Sequence, residues 1–155
     1  MADTYTVTRT ITISAPPETV WSHLVDLHRW EAWSPWEGMD PDQQRTYTGA
    51  ASGVGQHYAW SGNRKVGQGS MEIIEAEEPR RLVIDLQFVK PFRSRNTTSL
   101  ELRPEDRGTY VTWSMTGPLT LMTRVMGVVR SMDKLLGPDF EKGLTALKSV
   151  SEQRA

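Results

Sequence analysis

Apolar and polar residues alternate from Tyr5 to Ile13, with Val7, Ile11 and Ile13 on one side, where Arg9 is the exception, and Thr6, Thr8, Thr10 and Thr12 on the other. A period of two predicts a strand with one buried face. Ser14-Ala15-Pro16-Pro17-Glu18 follows. Proline is tolerated in a first helical turn, where the amide lacks an intrahelical partner anyway, so this segment predicts a helix start. The helix should end near Leu24, and Asp26 is placed to cap a second short helix carrying Leu27 and Trp30. Trp33-Ser34-Pro35-Trp36 then breaks the helical pattern.

After a polar loop at 37–42, Arg45–Thr48 reads as a weak strand and Gln56–Trp60 as a stronger one, with a glycine-rich connection from Gly49 to Gly55. Two longer hairpins follow. With Glu77-Glu78-Pro79-Arg80 as a turn, Ile73 faces Ile84 and Met71 faces Leu86 on one apolar side. The same register sets Glu72 against Asp85 on the outer side and leaves Glu75 inward at the hairpin end. A turn around Pro104 to Gly108 sets Leu100 opposite Val111 and Thr98 opposite Trp113. The last third turns helical, with Leu121, Val125, Val128, Met132, Leu136, Phe140, Leu144 and Leu147 at helical spacing. Pro138 after Gly137 predicts a kink or restart there.

These elements make an α+β domain spanning 1–155: a strand, two short helices, a curved antiparallel sheet of about six to seven strands, and a long C-terminal helix. The helix must cover the apolar face of the sheet, and a twisted sheet around a helix leaves room for a cavity. Composition narrows the functional classes. With 155 residues and no cysteine, the chain can bury a core without disulfides, and thiolate metal sites and a cysteine nucleophile are excluded. A net charge of −1 argues against nucleic acid as a partner. Met1-Ala2-Asp3-Thr4-Tyr5 has no basic, apolar leader, and no apolar run is long enough to span a bilayer, so a cytoplasmic location is expected. Six tryptophans and seven methionines suit a core or an adaptable hydrophobic pocket.

The order of elements resembles the START-like (SRPBCC) superfamily with its helix-grip fold, and the local sequence is similar to its polyketide cyclase/dehydrase-like branch. The likeness is carried by Ile13-Ser14-Ala15-Pro16-Pro17-Glu18-Thr19-Val20-Trp21, by Trp33-Ser34-Pro35-Trp36 with Asp40-Pro41, and by Gly53-Val54-Gly55 through Trp60-Ser61-Gly62-Asn63. It continues in Val66-Gly67-Gln68-Gly69, Met132-Asp133 and Asp139-Phe140-Glu141-Lys142-Gly143-Leu144 with Leu147-Lys148. The resemblance implies a cavity between sheet and C-terminal helix that holds a small hydrophobic ligand, lipid-like or aromatic. Two other roles occur among similar proteins: a cyclase, aromatase or dehydratase acting on a polyketide-like substrate, and a protein-interaction module of the chaperone-activator or toxin-component kind. A monomer or homodimer without cofactor is expected.

The candidate ligand-binding residues are Arg9, Trp36, His57, Met71, Ile73, Ile84, Leu86, Phe88, Thr98, Leu100, Trp113, Met122 and Met126. Arg9 interrupts an apolar face; a guanidinium there anchors a ligand anion or pairs with a protein carboxylate. Trp33 and Trp36 either line a pocket mouth or plug the gap between short helices and sheet. His57, beside Tyr58 and Trp60, is the candidate acid or base of a pocket or a plain edge-strand residue. Glu72 and Asp85 form a carboxylate pair on the wrong face for a pocket, relieved by Arg95 or Arg103. His23, His28 and His57 have no metal-ligand spacing, and no nucleophile elbow or phosphate-binding loop occurs, so no metal is expected.

Overall fold

The computed structural model describes residues 4–35, 42–63, 67–90, 94–118 and 129–153, with side chains of the last segment described from Leu136 onward. Strand β1 (Thr4–Ile13) leads into helix α1 (Pro17–Ser22) and a short 3₁₀ helix (Leu27–Ala32). Strands β2 (Gln44–Gly49), β3 (Gln56–Ser61), β4 (Gln68–Glu77), β5 (Arg81–Lys90), β6 (Ser94–Glu105) and β7 (Gly108–Pro118) follow, then helix α2 (Val129–Glu152). The described strands form one antiparallel sheet in the order β1-β7-β6-β5-β4-β3-β2. The meander therefore folds back so that its last strand pairs with the first.

Alternation and register together define the inner face. It carries Tyr5, Val7, Arg9, Ile11 and Ile13 of β1 beside Gly117, Met115, Trp113, Val111 and Thr109 of β7. Next come Asn96, Thr98, Leu100 and Leu102 of β6, then Leu86, Ile84 and Leu82 of β5. Met71 and Ile73 of β4, Tyr58 of β3 and Tyr47 of β2 complete it. The outer face of β1 and β7 is a ladder of hydroxyls, with Thr6 bonded to Thr116 at 3.0 Å and Thr8 to Ser114 at 3.1 Å. Such cross-strand pairs suit a wet sheet face.

The hairpin between β4 and β5 has the expected pairs Ile73–Ile84, Met71–Leu86 and Glu72–Asp85. Its turn is one residue tighter than expected, and a bulge at Ile74 absorbs the difference. One correction follows: the bulge moves Glu75 to the outer side, where it pairs with Arg81 at 2.9 Å. A second concerns β6 and β7. The turn is the two-residue Asp106-Arg107, which brings Leu100 opposite Trp113, Thr98 opposite Met115 and Leu102 opposite Val111. The slip is two residues, and an even slip leaves every side chain on its expected face. Of the two outcomes expected at Pro138, the restart does not occur: α2 runs through it as one helix.

Buried side chains from the short helices, sheet and α2 form one core. Its centre is aromatic. Trp113 stacks on Phe140 of α2 at 4.1 Å between centroids, and meets Trp33 and Trp30 edge-on at 5.5 and 6.2 Å. The indole N–H groups of Trp30 and Trp33 donate to the carbonyls of Leu24 and His23, so the short helices hold these rings without unpaired nitrogens. Trp33 is thus the plug between short helices and sheet. Asp26 caps the 3₁₀ helix as expected, accepting from the His28 amide at 3.0 Å. Gln56 locks that helix to β3, accepting from Leu27 N–H at 2.7 Å and donating to Asp26 at 2.9 Å.

Candidate functional site

The inner face divides into two zones. Around Trp113, which is 1% exposed, Ile73, Ile84 and Leu100 are fully enclosed by the aromatic core. Toward the end of the sheet where β1 and β6 begin and β5 and β7 finish, the packing opens. Tyr47, Trp60, Met71 and Phe88 are only partly buried there, while Tyr58 and Leu86 are buried beside them.

The open zone is an aromatic shelf. His28 of the 3₁₀ helix stacks on Tyr47 at 3.8 Å, Tyr47 on Tyr58 at 4.9 Å and Tyr58 on Trp60 at 5.9 Å. Trp60 then meets Phe88 edge-on at 5.8 Å, across β4. The crossing depends on Gly69, which sits between those strands. A Cβ at Gly69 would stand 2.7 Å from two carbons of the Trp60 ring and collide with the Gln87 carbonyl oxygen. Glycine is therefore what lets the indole lie flat over the strand.

Polar groups frame the shelf. Tyr47 donates to Glu31 at 3.0 Å, and Gln43 donates to the Tyr58 hydroxyl at 3.0 Å. Burial first, and then the neighbouring Glu31 carboxylate, raises Tyr47 well above the usual phenol value, so its proton stays on at neutral pH. His28 Nδ1 lies 2.8 Å from Asp26. Partial burial pushes the Asp26 carboxyl up, but hydrogen bonds from Gln56 and His28 outweigh it and hold Asp26 below its usual value. At the other edge, the Tyr5 hydroxyl donates to Asn96 Oδ1 at 2.9 Å. Burial raises Tyr5 above its usual value.

Of the candidates read from the sequence, Arg9, Met71, Ile73, Ile84, Leu86, Phe88, Thr98, Leu100 and Trp113 share the inner face. Within it, Met71, Leu86 and Phe88 belong to the shelf zone, and Ile73, Ile84, Leu100 and Trp113 to the closed core. Arg9 pairs with Glu141 of α2 at 2.9 Å and donates to the Thr8 carbonyl at 2.8 Å. Its guanidinium rests on Gly137, where any Cβ would collide with it. The protein-carboxylate reading of Arg9 is thus the one the geometry displays. His57 does not join the others: it pairs with Glu72 on the outer face, with Nδ1 3.5 Å from the Thr48 hydroxyl. Trp36, Met122 and Met126 lie outside the described residues. Arg95, not Arg103, relieves the outer carboxylates through two 3.0 Å bonds to Asp85. Arg103 lies over the Tyr110 ring at 4.8 Å. Among the described residues no cluster of three or more His, Asp or Glu is placed to hold a metal. No helix described is long and apolar enough to cross a membrane.

Sequence reasoning missed Tyr5, Tyr47, Tyr58, Trp60 and Asn96 as members of this face. Two of them carried a signal. Tyr5 precedes Val7, and Asn96 precedes Thr98, each by the two residues that keep a side chain on one face. Tyr47 sits on a short strand whose neighbour in the sheet was not readable.

Residues 4–152 match the family described as polyketide cyclase/dehydrase and lipid transport. The chain belongs to this family. Among solved structures it is similar to protein CV1439 from Chromobacterium violaceum, at 15% identity over 97% of this chain and 99% of that one, with a TM-score of 0.69. It is similar to protein MLL2253 from Mesorhizobium loti, at 23% identity over 93% and 97% of the two chains, with a TM-score of 0.64. It also superposes on the di-domain ARO/CYC BexL from the BE-7585A biosynthetic pathway, with a TM-score of 0.73 and 16% identity. There it covers 99% of this chain but 52% of BexL. These likenesses establish the helix-grip fold. No curated protein matches the sequence.

Proposed function

We propose that this family member binds a small hydrophobic ligand with a planar or aromatic body on the shelf formed by Tyr47, Tyr58, Trp60, Met71 and Phe88. The observation that carries the reading is that Tyr47, Trp60, Met71 and Phe88 are only partly buried, although the same inner face is fully packed around Trp113. Large apolar rings left partly open beside a closed core mark a surface that another apolar body covers. Affinity would come from apolar burial at about 25 cal/mol per Å² before ordering costs. The ARO/CYC relationship of BexL is in keeping with a planar, polyketide-like ligand.

A cyclase or dehydratase needs a group that moves a proton at the substrate. The polar side chains that the described strands turn inward are hydroxyls, amides and guanidinium groups, while His57, Glu72 and Asp85 face outward. The imidazole and carboxylates at the shelf edge, His28 with Asp26 and Glu31, are engaged with one another, Gln56 and Tyr47 within the fold, which favours holding and presenting a ligand. Fluorene, a flat tricyclic hydrocarbon, tests the shelf. Titrated by calorimetry, it should bind the wild type, and Trp60→Ala and Phe88→Ala should each weaken it by about tenfold or more. Unchanged affinity in both variants would overturn the assignment.

A further inference from the structure

Beside the shelf lies a group of buried polar side chains that the fold does not use up. Asn96 and Thr98 occupy successive inner positions of β6, next to Leu86 and Ile84 of β5. Asn96 is 3% exposed and Thr98 is 4% exposed. The Thr98 hydroxyl oxygen is shut off from water and has no hydrogen-bond partner among the described residues. Asn96 is held by its oxygen, which accepts from Tyr5 at 2.9 Å. That fixes the orientation of the amide, and among the described residues the NH₂ group has only a 3.5 Å contact to Ser94 Oγ. The space is built for this pair: a Cβ at Gly117 would collide with Asn96 Oδ1 and stand 2.8 Å from the Tyr5 hydroxyl. Tyr5 keeps its proton at neutral pH because burial raises it, so the donor that orients Asn96 is permanent.

A buried hydroxyl without a partner is costly, and the cost is recovered when something bonds it. Two donors side by side, one a nearly unspent amide and one an unspent hydroxyl, suit an acceptor oxygen with two lone pairs. Resting on the shelf reading above, we infer that Asn96 and Thr98 form a polar seat for a carbonyl oxygen of the ligand, with Tyr5 positioning Asn96. The protein thereby selects oxygenated planar molecules, ketones or quinones, over hydrocarbons of the same shape. Sites that bond a substrate's oxygen discriminate strongly against analogues lacking it, because their own polar groups are then left unpaired.

The test compares 9-fluorenone with fluorene, which has a methylene in place of the carbonyl. The ratio of their affinities for the wild type should exceed that for Thr98→Val by about tenfold, one buried hydrogen bond. Thr98→Ser, which keeps the hydroxyl, should restore the ratio. Thr98→Val should melt at or above the wild-type temperature, since it removes an unpaired buried hydroxyl. A ratio unchanged in Thr98→Val, with fluorene still bound, would overturn the seat and leave the shelf standing. A marked loss of stability in Thr98→Val would also overturn it, by showing that the hydroxyl is spent within the fold. Failure of the wild type to bind either probe would overturn the shelf and the seat together.

Discussion

Replacing Trp113 by alanine tests the division of the inner face into a closed core and an open shelf. Trp113 is 1% exposed, stacked face to face on Phe140 with 7° between the rings, and edge-on to Trp30 and Trp33. It joins β7 to both the short helices and α2, so no single element can collapse into the space it leaves. Large aromatic-to-alanine changes at such positions cost about 3–5 kcal/mol, the lost transfer energy plus an unfilled cavity. Against a total stability of roughly 5–15 kcal/mol, that is a large fraction. For a domain of this size it corresponds to a fall in Tm of roughly 6–20 °C. Phe88→Ala is the internal control. Its ring is only partly buried, at the margin of the core, and meets Trp60 edge-on across β4, so its cost should be clearly smaller, about 1–2 kcal/mol. Urea unfolding followed by circular dichroism measures both. A Trp113→Ala cost below about 1 kcal/mol, or equal to that of Phe88→Ala, would refute the division.

Three further outcomes follow from the geometry. Gly69→Ala places a methyl against the Gln87 carbonyl and the Trp60 ring; it should cost about 1–3 kcal/mol and alter the near-ultraviolet dichroism of the tryptophans, and an unchanged spectrum would contradict the packing. Hydrogen bonds from Arg95 first, then Gln87, hold the Asp85 carboxyl below its usual range. The stability this provides is present above the ordinary carboxylate pKa of about 3.9 and is lost as pH falls through the lowered folded value. The stability gap between wild type and Asp85→Asn, measured by urea midpoint, should therefore close on acidification below about pH 4, and a gap constant with pH would contradict the pairing. Arg9→Met should change stability by less than about 1 kcal/mol, because the Arg9 and Glu141 side chains are 25% and 62% exposed and solvent screens the pair; a double-mutant cycle with Glu141→Gln measures it.

The sequence was most legible where one periodicity ruled. The alternation from Tyr5 to Ile13 and the pairing of Ile73 with Ile84 needed only the pleat of a strand. Errors came where backbone geometry intervened. A bulge at Ile74 reversed Glu75, and the tight turn at Asp106-Arg107 shifted β7 by two residues. Neither is written in hydrophobic pattern, since a bulge changes side-chain direction without changing composition. At Pro138 the pattern left a kink or a restart open, and the helix continues without a restart where Phe140, Leu144 and Leu147 pack into the core. The shelf was half-legible. Met71, Leu86 and Phe88 followed from period two, but the row from His28 through Tyr47 and Tyr58 to Trp60 joins the 3₁₀ helix to β2 and β3, residues adjacent only once the sheet order is known.

The central claim is that the half-open aromatic face holds a small hydrophobic molecule. Native mass spectrometry of the protein purified from the cells that make it, followed by solvent extraction, tests this most directly. The account predicts a bound molecule at one per chain, planar and oxygenated, whose return to the refolded protein raises Tm through mass action. Wild-type protein that carries no bound mass, and whose Tm does not respond to the cell's own hydrophobic extract, would contradict it.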